Sequence, residues 1–452
     1  MKRAPSFLWF KIEGTRIPKY LLGKMQTALE SNVFQRIEQK DRYTVTFTLS
    51  PTDVGYANAL RRIILTGVES VAFRSDINDL GKTTDVNITK NSTPMTNEML
   101  ADRIGLLPIV FKNPLAWNPD KYEFRLSMEN TTTDQMDVNA HHIEVYEKMA
   151  DGLEQKVENT QFFHPDPVAV NTTLLAVLKP KRSGQAAEAV EFTAKATIGS
   201  GREHARFNPV SQCAYKYTLD DDDGRRSKLF EQWLNKNKKV GDPRGLEKVQ
   251  LEAYQREYNT MELNRCYLMD EKGQPTSYDF TIETVGTLDI NYIITRALEV
   301  AATMCAAYGN IHKESLPPDL RVSPADGPME GYDFLFLKQD HTLGNLLQTY
   351  IDAKLMDRDG SKVTYVSYKV PHPLRDEMIL RIGIDGGEES AAREVLAEAA
   401  RELAGMFTRW RGYWFASLGT QDPKSKKPVI ERGVKTAVKR ANGSVAPKKA
   451  IA

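Results

Sequence analysis

Tyr43–Leu60 reads YTVTFTLSPTDVGYANAL, and Tyr332–Leu347 reads YDFLFLKQDHTLGNLL. In the first stretch Tyr43, Val45, Phe47 and Leu49 alternate with three threonines, the period of a half-buried strand. The second opens on a strand at 332–338. An aspartate follows each strand, Asp53 or Asp340, and five residues later comes Asn58-Ala59-Leu60 or Asn345-Leu346-Leu347. A helix is predicted near 54–67, with Leu60, Ile63, Ile64 and Val68 at helical spacing, and its counterpart over 343–355. After further strands, each block closes on an apolar-striped helix, near 290–308 and near 388–411. Two strand–helix–strands–helix units, each with one wide apolar helix face, bury those faces best against each other. The sequence therefore predicts pseudo-symmetric pairing, carried by Leu60, Ile64, Ile294, Leu298, Leu347, Leu396, Leu403 and Phe407. The alternative is two independent α/β domains that share a short Asn-x-Leu string.

The remainder of the chain divides around these units. Residues 1–40 show no sustained period and read as an extension. The first unit is discontinuous (41–111 and 277–310), with a β-rich insert domain at 112–276 that includes an acidic loop, Asp220–Asp223. Residues 311–330 carry four prolines and read as a linker, 331–418 form the second unit, and 419–452 read as a basic disordered tail. The fold class is α+β.

Composition narrows the function. From Gln421 onward nine lysines and arginines face only Asp422 and Glu431, so the tail carries +7 and leaves −6 on the rest of a chain of net charge +1. The body is no basic nucleic-acid platform. Three scattered cysteines, Cys213, Cys266 and Cys305, point to a reducing compartment. With no signal-peptide core and no apolar run of the roughly 20 residues a membrane span needs, a soluble intracellular protein is expected.

Six blocks carry a resemblance. Asp53–Arg62 (DVGYANALRR), Asn97–Ile109 (NEMLADRIGLLPI), Gly201–Val210 (GREHARFNPV) and Phe280–Val300 (FTIETVGTLDINYIITRALEV) resemble, in order, signature blocks of the α-like subunits of DNA-dependent multisubunit RNA polymerases. That family includes the bacterial α N-terminal domain, the larger archaeal α-like protein (the D type) and the third-largest subunit of RNA polymerase II. Asp340–Leu347 (DHTLGNLL) and Tyr368–Leu374 (YKVPHPL) resemble the smaller partner, the archaeal L type or its eukaryotic counterpart. The blocks span about 35–418.

The resemblance implies a heterodimer with a four-helix core, here fused into one chain, as in large DNA viruses of eukaryotes. It implies docking against the second-largest and largest polymerase subunits and small assembly subunits, with DNA touched only indirectly. No membrane and no homo-oligomer are expected. The location implied is a virion or cytoplasmic virus factory if viral, otherwise the nucleus. Arg61, Arg62, Arg103, Glu203, His204 and Phe207 are the expected subunit-facing residues. Asn58, Asn345 and Gly344 are expected to cap or orient turns.

No catalytic constellation emerges. Glu203-His204 has no partner nucleophile, and Asp220–Asp223 reads as a solvated hinge rather than a metal-holding carboxylate set. Nuclear relatives often hold zinc in a cysteine-rich loop, and some archaeal ones hold iron–sulfur clusters. Between Phe111 and Asn159 this chain has no cysteine, so no zinc, cluster or other cofactor is expected. The function expected is a non-catalytic polymerase assembly platform. The rival is a free regulatory or nucleic-acid-binding protein acting through its tail.

Overall fold

The computed structural model describes residues 32–76, 85–166, 168, 170–241, 245–313, 315–327 and 329–420, with the backbone of 9–12 and 15–18. The basic tail beyond residue 420 lies outside the described residues. The short strands β1 (Trp9–Ile12) and β2 (Thr15–Pro18) pair as an antiparallel hairpin.

The two quoted stretches fold alike. Strand β3 (Phe34–Gln39) pairs with β4 (Thr44–Leu49), whose alternation buries Val45, Phe47 and Leu49. The Asp53 carboxylate then accepts from the Gly55 N–H and caps helix α1 (Val54–Thr66). The first unit closes with β14 (Val210–Tyr217), β15 (Tyr278–Thr284) and helix α5 (Ile290–Ala306). In the second unit, β16 (Leu320–Pro324) pairs with β17 (Gly331–Leu337). Asp340 accepts from the Thr342 N–H to cap α6 (His341–Tyr350). Strands β18 (Val363–Lys369) and β19 (Glu377–Ile384) lead into α7 (Glu389–Ser417). The antiparallel sheet orders are β3-β4-β15-β14 and β16-β17-β19-β18. Each therefore sets its opening strand beside its closing strand, with the preceding strand at either edge.

Two expectations change here. Residues 320–324 are a strand rather than linker, and 34–39 are a strand rather than irregular extension. Both are edge strands with one deeply buried residue each, Leu320 and Phe34. A strand exposed along most of its length carries no alternating pattern.

Helices α1, α5, α6 and α7 and both sheets share one hydrophobic core. All eight residues expected to carry the pairing are fully buried in it. Helix α7 runs six residues beyond its expected end at 411, and the extension carries Trp414 across to the first unit's sheet. The Trp414 ring meets Phe34 and Phe47 edge-on at 5.1 and 5.4 Å, and Phe47 stacks on Phe280 at 5.1 Å. The exchange is reciprocal. Tyr308, just past α5, meets Phe336 of the second sheet at 4.9 Å, and its hydroxyl donates to Asp319 at 2.7 Å.

A second core fills the middle of the chain. It combines strands β5 (Glu69–Ala72), β6 (Val86–Asn91), β7 (Tyr122–Glu129), β8 (Met136–Asn139), β9 (Glu144–Lys148), β10 (Glu154–Val157), β11 (Leu174–Leu178), β12 (Ala189–Ala194) and β13 (Thr197–Ser200) with helix α2 (Asn97–Gly105). Its main sheet has the order β10-β9-β7-β12-β6. This core reaches from Val71 to Ile198, so it begins well before residue 112, and β14 has already returned to the first sheet.

Between β14 and β15 the expected acidic hinge is instead the start of a helical hairpin, α3 (Asp223–Trp233) and α4 (Lys248–Met261). Asp222 caps α3, while Asp220 and Asp221 pair with Arg225 and Arg226. Phe230 and Trp233 close the hairpin around Tyr258.

Removing the fully buried Trp414 leaves a cavity between the two units. Trp414→Ala should cost about 3–5 kcal/mol, read by urea unfolding. A loss under about 1 kcal/mol would mean that the helix end does not clamp the first sheet.

Candidate functional site

The polar seam between the units is built from the same motif blocks that form the helices. Arg62 projects from α1 beside the core. Its Nε donates to Thr342 Oγ1 at 2.8 Å, and its terminal nitrogen reaches Asp340 Oδ2 at 3.1 Å. Arg202, from the GREHARF loop, pairs with Asp376 in the β18–β19 turn at 3.1 Å. Burial pushes the Asp340 carboxyl up, but the Thr342 N–H and hydroxyl, with the charges of Arg62 and Arg202, outweigh it. The group is held below the ordinary aspartate range. Below the seam, Tyr368 lies against Gly344, where a Cβ would come within 2.5 Å of the ring.

Arg62, expected to face another subunit, is thus spent on the second unit. The expected caps shift as well. Asp53 and Asp340 cap the helices, while Asn58 lies within α1 and accepts from Arg61 Nε at 3.0 Å. Asn345 and Gly344 likewise lie inside α6.

A second cluster ties the GREHARF loop to α2. Glu203 accepts from two nitrogens of Arg74 at 2.7 and 2.9 Å, and the Arg74 guanidinium lies 5.1 Å over the Phe207 ring. Phe207 is fully buried, so it braces this loop and cannot itself face a partner. The Arg206 side chain, 4% exposed, donates to the Phe73 carbonyl and Ser75 Oγ, and its Nε donates to His204 Nδ1. Ser75 in turn donates to Asp102 of α2. Arg103 donates to the Leu174 carbonyl at 2.9 Å and remains exposed. Glu203 and His204 are therefore both engaged in holding the loop.

A third cluster joins Arg296 of α5 to Glu69 of β5 at 2.7 Å, with Glu299 at 3.1 Å. Burial pushes Glu69 up, but Arg296 outweighs it and holds the carboxyl low. Sequence reasoning passed over Arg74, Arg206, Arg296 and Thr342. Arg206, Arg296 and Thr342 stand inside quoted motifs, but the contacts to Ser75, Glu69 and Arg62 that give them their roles span more than a hundred residues.

The described residues do not fit a zinc or iron–sulfur site. Cys213, Cys266 and Cys305 are each buried and unpaired, and burial pushes the Cys213 and Cys305 thiols up to about 12. Among the described residues no group of three or more His, Cys, Asp or Glu side chains is placed to hold a metal ion. Likewise no described helix is long and apolar enough to cross a membrane.

Two paired units of one topology, closed by exchanged helix ends, define a double dimerisation-module protein. The profile of the family described as the RNA polymerase Rpb3/Rpb11 dimerisation domain matches residues 46–305, and a second profile with the same description matches 332–411. The chain belongs to that family through both units, as a fused α-like RNA polymerase subunit. It is similar to "DNA-directed RNA polymerase subunit Rpo3" of Methanosphaera stadtmanae, 28% identical over 40% of this chain and 60% of that protein. Identity with "DNA-directed RNA polymerases II, IV and V subunit 3" of Arabidopsis thaliana is 26% over 58% of this chain and 86% of the relative. With "DNA-directed RNA polymerases I and III subunit RPAC1" of Mus musculus it is 23% over 63% and 85%.

Replacing the half-exposed Arg62 by Met should lower unfolding stability by about 1 kcal/mol, since it removes two charge-assisted hydrogen bonds across the seam. The Asp340 carboxyl titrates lower folded than unfolded, so its contribution is present above the ordinary aspartate range and fades as pH falls through the folded value. The stability gap between wild type and Asp340→Asn, followed by urea unfolding, should be present at pH 7 and close in acid. A gap that widened on acidification would contradict this sign.

Proposed function

We propose that this chain is the non-catalytic assembly platform of a DNA-directed RNA polymerase. The observation that carries the reading is the single core built by two Rpb3/Rpb11 modules on one polypeptide. What is a bimolecular association when the modules are separate chains becomes intramolecular here, at an effective concentration on the order of millimolar. The paired modules then offer one preformed surface to the second-largest and largest subunits and to small assembly subunits. Arg61 and Arg103 lie off the buried helix faces and would be basic contacts of that surface, together with the braced Glu203-His204 turn. DNA is contacted only through the assembled enzyme. The middle core of residues 71–198 serves as a packed spacer whose shape rests on aromatic packing. Its Phe124, Phe162 and Phe163 rings lie 5.5–5.9 Å apart.

Affinity purification through this chain should recover the two largest polymerase subunits at one copy each, with nucleotide-polymerising activity. Recovery of the chain solely as a free species would sink the reading. Deleting residues 421–452 should leave that recovery unchanged. Loss of all activity on this deletion, with that recovery intact, would shift the weight to the tail-driven rival.

A further inference from the structure

Helices α1 and α6 correspond position by position when counted from their caps. Buried Gly55, Ala57, Ala59, Leu60 and Ile64 match buried Thr342, Gly344, Leu346, Leu347 and Ile351. On the same count Arg62 matches Thr349. The contacts obey this exchange. Arg62 touches Thr342 at 2.8 Å, and its counterpart Thr349 touches Gly55, the counterpart of Thr342. The two fillings are opposite in character. On one side a long flexible arm lies over a threonine. On the other a β-branched side chain sits so close to the glycine that a Cβ at residue 55 would lie 2.7 Å from Thr349 Oγ1.

We propose that this unequal exchange is a pairing-specificity device that admits the first module against the second and rejects the second against itself. In a pair of second modules Thr349 would meet Thr342 on both sides. That is the geometry in which residue 55 has no room for even one added carbon. With two heavy atoms on its Cβ, Thr349 keeps one of them on the near side in two of its three staggered rotamers, so its room to withdraw is small. In a pair of first modules Arg62 would instead lie over Gly55, within reach of Asp53 as it now reaches Asp340, and that pairing stays open.

The consequence is a limit on self-assembly. A chain with two self-complementary modules forms open-ended polymers, because every added chain exposes a further end. Closing one of the two homotypic pairings caps such growth at a dimer, and the short tether then favours the internal pair. This inference rests on the internal pairing and not on the polymerase reading. A failure of co-purification leaves it standing, and its own failure leaves co-purification unaffected.

The test uses the purified full-length chain, with molar mass from light scattering over a concentration series and thermal melting as readouts. Gly55→Ala alone would raise the melting midpoint if only helix propensity counted. The device predicts a lower midpoint and a rise of about tenfold or more in the dimeric species, formed by first modules pairing between chains. Gly55→Ala/Thr349→Ala should melt like Thr349→Ala alone and return to monomer. The proposal is overturned if Gly55→Ala melts at or above wild type, if it remains monomeric, or if Thr349→Ala does not reverse the dimer.

Discussion

Helix α5 packs against α7 in the single core, burying Ile293, Ile294, Ala297, Leu298 and Ala301 on one helix and Leu396, Ala399, Ala400, Leu403 and Phe407 on the other. Alanines on both faces let the helices approach closely, and Arg401 fixes their register by donating to the Gly309 carbonyl at 2.8 Å. Each helix belongs to a different unit, so neither unit can bury its closing helix without the other. The exchanged ends follow from the same contact. Trp414 reaches the first sheet and Tyr308 the second because both segments continue beyond the α5–α7 contact while staying inside the shared core.

Around that apolar contact the polar groups choose among arrangements more than they add stability. Arg62 and Asp340 are each about a third exposed, though Thr342 between them is buried, and such pairs contribute modestly. Their value lies in where they place α1 on α6. The loop of Glu203, His204, Arg206 and Phe207 is similar in kind. It is tied to α2 through Ser75 and Asp102, so the two blocks that flank much of the insert reach the surface as one rigid piece. In the proposed assembly role such bracing would leave little ordering entropy to be lost on docking.

Much of this was legible in the sequence. The repeated strand, aspartate and helix start revealed both units, and the eight core residues stood out because their helices must each bury one stripe. What escaped notice did so for physical reasons. Strands β3 and β16 are edges with too few buried residues to show a period. The α3–α4 hairpin has only one buried residue in either α-helix, Tyr258 in α4, so it carries no core stripe. Asn58 and Asn345 looked like caps because they follow an acidic turn, yet the aspartates of that turn already supply the capping oxygen. Arg62 and Phe207 sit in family motifs, and a motif does not say whether a residue faces a partner chain or another part of its own.

The central claim is that two modules on one chain form a single cooperative core. Native-state hydrogen exchange under increasing urea tests it most directly. The amides of α5 at 290–306 and of α7 at 389–417 should become exchangeable together, with one common opening free energy and one denaturant dependence. If α7 and the second sheet opened at lower urea while α5 stayed protected, the modules would be independent domains, contradicting the account.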